Sequence, residues 1–215
     1  VNQSYKKLQI ILVNDHSTDG SEKLALKYSI EDSRIELVNN IGKGIIDALN
    51  TGSEIAKGKY ITRMDSDDIM IKNKIEILRS LLEKKKTKYI AVGNVKYFAS
   101  KKPMGNGYLK YANWLNELTS NKKNFKDIYK ECTIPSCCWM MHRSDFENIE
   151  GFKKLNYPED YDFLFRAYYK QIKLITTKEI IHLWRDHPMR TSRKNKNYLF
   201  ENFIPLKVKY LIENE

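Results

Sequence analysis

Three carboxylates fall within four residues at the end of an apolar run: Asp65, Asp67 and Asp68 in YITRMDSDDIM, residues 60–70. Like charges that close repel, and an ordinary solvated turn has no use for them. A hard divalent cation would resolve the repulsion, because Mg²⁺ or Mn²⁺ takes a few carboxylates and completes its shell with water and substrate phosphate oxygens. The competing reading assigns Asp67 and Asp68 to capping a helix that begins near residue 71, for which one carboxylate suffices. A second acidic turn, Asn14-Asp15, closes the apolar run LQIILV, and a carboxylate pair, Glu159-Asp160, follows Pro158 at the expected start of a helix. The helix dipole favours acidic side chains in a first turn, which accounts for one of that pair.

These residues need elements to hold them. LQIILV (8–13), RIELV (34–38), KYITRM (59–64) and YIAVGNVKYF (89–98) read as strands. Helical spacing occupies 21–28, 45–56 and 72–86. Strands alternating with helices imply crossover connections and an α/β fold with a mostly parallel central sheet flanked by helices. Ligands in such sheets bind beyond the carboxyl ends of the strands, where both acidic turns fall. After residue 100 the pattern loosens. An aromatic helix over about 108–120, a strand PSCCWMMH, a helix over 159–170, short strands at 173–176 and 180–184, and a tail helix at 198–213 are expected. One domain over 1–215 is the economical organisation, with Rossmann-like, nucleotide-type chemistry in the half over about 1–98 and a more variable half over about 99–215.

Composition narrows the classes. The 215 residues are 41% hydrophobic, which is globular, and no apolar run approaches the roughly 20 residues that cross a bilayer. Three cysteines, Cys132, Cys137 and Cys138, form no CxxC pair, which argues against a disulfide framework or a zinc site and fits a cytoplasmic protein. A formal charge of +11 suits an anionic partner: a phosphorylated substrate, an anionic membrane face or nucleic acid. No nucleic-acid-binding signature accompanies it, and no nucleic-acid partner is expected.

In order, QIILVNDHSTDGS, NNIGKGIIDALNTGSEIAKGKYITRMDSDDIM, IPSCCWMMHRSDFENIEGF, YPEDYDFLFRAYYKQIKL and WRDHPMRTS resemble the successive motifs of family 2 glycosyltransferases. The resemblance spans nearly the whole chain. It implies a GT-A fold and an inverting enzyme that moves a sugar from a nucleoside diphosphate sugar, UDP-linked above all, to an acceptor hydroxyl. In that frame Asp15 bonds the base, and Asp65 faces the ribose or the metal. Asp67 ligates Mn²⁺ or Mg²⁺ at the diphosphate, with His187 beside it. Lys43, Arg185 and Arg190 lie near the nucleotide and its phosphates. Arg63 contacts the sugar donor or supports the acidic turn, with a pairing to Asp68 as the alternative. Asp160 is the general base and Glu159 positions it. Tyr108, Tyr111 and Trp114 either line an acceptor groove or belong to the core.

The resemblance carries two further expectations. Family members open with an apolar strand, a loop and a helix before the strand that QIILVND matches, so the N-terminal strand–helix unit is expected to be missing from this sequence. The family's common setting is surface-polysaccharide synthesis on a lipid-linked acceptor, at the inner face of the membrane. The rival readings are a nucleotidyltransferase and a non-catalytic nucleotide-binding or nucleic-acid-binding module.

Overall fold

The computed structural model describes residues 1–99, 105–190, 193 and 196–213. The first half supplies β1 (Ile10–Asn14), α1 (Ser21–Glu31), β2 (Ile35–Asn39), α2 (Ile45–Glu54), β3 (Tyr60–Ile61), β4 (Ile69–Met70), α3 (Lys74–Glu83) and β5 (Tyr89–Ala99). The second supplies α4 (Asn106–Ser120), β6 (Trp139–His142), α5 (Arg143–Asn148), α6 (Glu159–Tyr169), β7 (Lys173–Asp186) and α7 (Phe200–Ile212). β1 and β2 pair in parallel, in the order expected for a strand–helix–strand crossover. The remaining strands form a five-stranded sheet in the order β3-β6-β5-β7-β4.

That larger sheet departs from the expected parallel arrangement. β5 and β7 are parallel, whereas β3–β6, β5–β6 and β4–β7 are antiparallel. The α/β class stands, but the sheet is mixed, because β6 and the short β4 run against their neighbours. β7 is also one strand where two were expected. The register with β5 jumps from Val92–Thr176 to Asn94–Ile180, and the Asn94 side-chain amide donates to the Lys178 carbonyl at 3.0 Å. Residues 177–179 thus bulge out of a continuous strand, which is why alternation fails there.

Two apolar clusters fix the sheet. On one side Trp139, Phe146, Phe152 and Phe163 pack ring against ring, with Trp139 and Phe163 stacked 4.9 Å apart. Helix α6 runs through this cluster and buries Tyr161, Phe163, Leu164, Phe165 and Ala167, so its first turn is rigidly placed. On the other side α3 lays Ile75, Leu78 and Leu82 against Ala91, Val95 and Met140. Their i, i+3, i+7 spacing is the amphipathic stripe read in the sequence. A cleft of about 1980 Å³ opens between β1 with α2 and the end of β3, and Asp15, Gly44, Asp65, Asp67, Asp160 and Arg190 all line it.

Candidate active site

Beyond β3 the chain runs through Thr62-Arg63-Met64 into a turn closed by the Asp68 N–H on the Asp65 carbonyl, at 3.3 Å. Each carboxylate of the turn has its own partner. Asp65 takes Arg63 Nε at 2.8 Å, and Asp67 Oδ2 meets His187 Nε2 at 2.7 Å. Asp68 meets His182 Nε2 at 2.8 Å and accepts the Arg185 backbone N–H at 2.8 Å. Protein groups therefore relieve the repulsion read in the sequence, and crowding alone does not demand a cation. Nor do Asp67 and Asp68 cap a helix, since α3 begins at Lys74 with Asn73 at its cap.

Burial then divides the three. The side-chain exposure is 1% for Asp68, 28% for Asp65 and 42% for Asp67. Asp68 is an anchor that pins the turn to β7. Its carboxylate, the Cys137 thiol and the His182 ring also bring one ligand atom each within 4.8 Å. There the Asp68–His182 bond is already made, Lys74 Nζ donates to the Cys137 carbonyl, and burial pushes the Cys137 thiol well above its ordinary range. A protonated thiol in a cluster whose carboxylate and ring are each 1% exposed suits bracing better than metal binding. Asp67 and His187 are the pair left reachable, with a carboxylate and an imidazole to offer.

Arg63 pairs with Asp65 and Glu159, not with Asp68. Its Nη1 lies 2.8 Å from Glu159 Oε1, and its side chain is 5% exposed. Burial opposes its charge, but Asp65 and Glu159 outweigh that and hold the guanidinium firmly protonated. In return, burial works against an ionised Asp65, yet the Arg63 charge keeps that carboxyl below its ordinary range.

The carboxylates of α6 are equally distinct. Pro158, at φ −57°, delivers the chain into the helix, whose first residue is Glu159. Glu159 is 2% exposed, with one oxygen on Arg63 and the other taking the Tyr198 hydroxyl. Asp162 is 1% exposed, held by Arg166 Nε at 2.8 Å and the Tyr210 hydroxyl at 2.8 Å. Among the described residues Asp160 accepts the Tyr161 backbone N–H, at 2.8 Å, and it lines the cleft. Burial first, then the neighbouring Glu159 charge, push its carboxyl up to about 7.

The other expected residues are more scattered. Both Asp15 oxygens accept the Gly44 N–H at 3.0 Å, and Asn40 Nδ2 reaches Oδ1 at 2.7 Å. Asp15 thus shapes the loop before α2, where Gly44 sits at φ +91°, a conformation that suits glycine. Lys43 is exposed on that loop. Arg185 gives its Nε to the Asp67 carbonyl at 2.5 Å and lies 4.5 Å over Phe98, so it braces the turn. Arg190 stacks over Trp184 at 4.6 Å beside Tyr97. Tyr108 and Tyr111 line the cleft, and Tyr111 also packs with Trp114 against the second apolar cluster. His182 and Tyr198 were not singled out by the sequence. Their partners are 114 and 39 residues away, and no local pattern announces them.

Residues 1–150 match the family model described as glycosyl transferase family 2. The chain belongs to that family. This family 2 glycosyltransferase chain is 30% identical over 188 residues to the UDP-Glc:alpha-D-GlcNAc-diphosphoundecaprenol beta-1,3-glucosyltransferase WfaP of Escherichia coli, covering 87% of the chain and 69% of WfaP. It is 37% identical over 107 residues to the glycosyltransferase GlyG of Streptococcus pneumoniae, which covers 49% of the chain. The chain spans only 35% of the length of GlyG. Among solved structures, S. aureus TarS 1-349 superposes with a TM-score of 0.69 at 15% identity, covering 99% of this chain and 58% of that one. The mannosyltransferase PcManGT of Pyrobaculum calidifontis, solved with GDP-Man and Mn²⁺, gives 0.63 at 15% identity, covering 100% and 58%. These likenesses establish the GT-A fold.

Proposed function

We propose that this family 2 domain transfers a sugar from a UDP-sugar to an acceptor hydroxyl with inversion, in the assembly of surface polysaccharide on a lipid-linked acceptor. The observation that carries the reading is the sorting of carboxylates on α6. Glu159 and Asp162 are buried and fully engaged, and Asp160 alone is left facing the cleft that Asp65 and Asp67 also line. Asp160 takes the proton of the acceptor hydroxyl as its oxygen attacks the anomeric carbon. The bond to the diphosphate oxygen breaks on the opposite face, so one displacement inverts the centre.

Mn²⁺ or Mg²⁺ fits the reachable pair, since the Asp67 carboxylate and the His187 imidazole offer oxygen and nitrogen ligands at the cleft with Asp65 nearby. A bound cation would neutralise the departing diphosphate. Asp15 and the Gly44 loop then serve the nucleotide end, and Tyr108 and Tyr111 the acceptor end. The names of WfaP and PcManGT support a nucleotide-sugar substrate, and that of WfaP a lipid-linked acceptor. No described helix is long and apolar enough to cross a membrane. The +11 charge suits peripheral contact with an anionic inner membrane face.

The test is a thermal-shift panel of UDP-, GDP-, dTDP- and CDP-sugars, each with and without Mn²⁺. Stabilisation by a UDP-sugar only when Mn²⁺ is present is expected. Stabilisation by no nucleotide sugar under either condition would overturn the reading.

A further inference from the structure

We infer that Arg63 is a positioning residue that aligns the two halves of the reaction, one buried guanidinium holding the sugar-donor turn through Asp65 and the base helix through Glu159. The inference rests on the transferase reading above. Its geometry is specific. Nε lies 2.8 Å from Asp65 Oδ1, Nη2 lies 3.4 Å from Asp65 Oδ2, and Nη1 lies 2.8 Å from Glu159 Oε1. All three nitrogens are engaged with protein, so this side chain is not a free hand for substrate. Ninety-six residues separate Arg63 from Glu159, and this contact joins the chain segments that carry the carboxylate turn and the base helix.

The residue type matters. Arginine presents its N–H groups as a rigid planar fork that can serve two carboxylates along two edges. A lysine ammonium is a single point on a flexible stem and reaches one of them. The clamp also saturates Glu159, whose second oxygen receives the Tyr198 hydroxyl. A side chain fixed at both oxygens on the first residue of α6 fixes the backbone of the next residue, Asp160. The face of Arg63 is covered in turn by Phe152, with the guanidinium carbon 5.8 Å from the ring centre. Asp65, Glu159 and Phe152 thus converge on one cation, Tyr198 closes the far side of Glu159, and Asp160 lies next to that knot at the cleft.

The experiment compares Arg63→Lys, Glu159→Asp and the double variant. Glu159→Asp keeps the charge but shortens the reach to Arg63. It also leaves a test should Arg63→Lys fail to fold. After circular dichroism confirms folding, sugar transfer and sugar-donor affinity are measured on each. A misaligned base costs turnover by about 10–100-fold, the usual scale for small misplacements of reacting groups. Glu159→Asp should show that loss in kcat with sugar-donor affinity nearly unchanged. The double variant should be no slower than Arg63→Lys alone, because both break one link. A merely structural Arg63 would lower the melting temperature and leave kcat per folded molecule at the wild-type value. That result, or additive losses in the double variant, overturns the inference while leaving the transferase reading intact. A wild-type protein that transfers no sugar from any nucleotide sugar, with its acceptor or to water, overturns both.

Discussion

His182 Nε2 lies 2.8 Å from Asp68 Oδ2, where each side chain is 1% exposed. This contact, with the Arg185 N–H on the other Asp68 oxygen, anchors the carboxylate turn to β7 and sets where Asp65 and Asp67 can point. Asp68 is therefore a structural member of the motif. Asp68→Ala strands two buried donors, and each unsatisfied group costs about 1–3 kcal/mol. Urea unfolding should show that loss of stability, and calorimetry a loss of sugar-donor affinity with it. An Asp68→Ala protein as stable as wild type would show that the turn is held by other contacts.

Asp67 should behave differently, because its side chain is 42% exposed and, among the described residues, its carboxylate bonds His187. Asp67→Ala should leave the melting temperature of the free protein nearly unchanged. It should remove the Mn²⁺ dependence of sugar-donor binding together with most of the binding. Equal affinity of the wild type with Mn²⁺ and in EDTA would remove Asp67 and His187 from any metal role.

The Asp160 carboxyl, raised to about 7 by burial and then by Glu159, predicts two opposite pH effects. A base must be ionised, so transfer should fall as pH drops through about 7. Stability runs the other way. The folded state favours the protonated acid, so its contribution is full below the ordinary carboxyl value of 3.8 and is lost as pH rises through about 7. Asp160→Asn should remove this part of the pH dependence of stability, read by denaturant titration at several pH values. A pH profile of stability identical in the variant and the wild type would contradict the raised value.

Local features were legible in the sequence and distant pairings were not. The α3 stripe of Ile75, Leu78 and Leu82 and the Pro158 start of α6 follow from spacing and residue type, and both formed where expected. The carboxylates of the 65–68 turn were visible as a group. Their division into an anchor, a clamp partner and a reachable ligand was not, because it depends on His182, Arg185 and Glu159, which the chain brings in from 96 to 117 residues away. β4 consists of Ile69 and Met70 alone and exists only by pairing with β7, so no pattern could show it. The mixed sheet was missed for the same reason: alternation reveals a strand but not its direction. Arg63 was expected to contact the sugar donor or to support the acidic turn, with Asp68 as the alternative partner; it supports the turn through Asp65, and only the fold reveals Glu159 as its second partner.

The most direct test of the central claim, that Asp160 is the base of a sugar transfer, is the transfer rate of Asp160→Asn. Asparagine keeps the shape and the bond to the Tyr161 N–H but cannot accept a proton. In a folded variant, sugar-donor affinity should be nearly unchanged, while transfer to the acceptor falls by about 10²–10⁴, the usual contribution of general-base catalysis. Glu159 and Asp162 are buried and engaged and offer no substitute. A folded Asp160→Asn protein that transfers sugar at the wild-type rate would contradict the account.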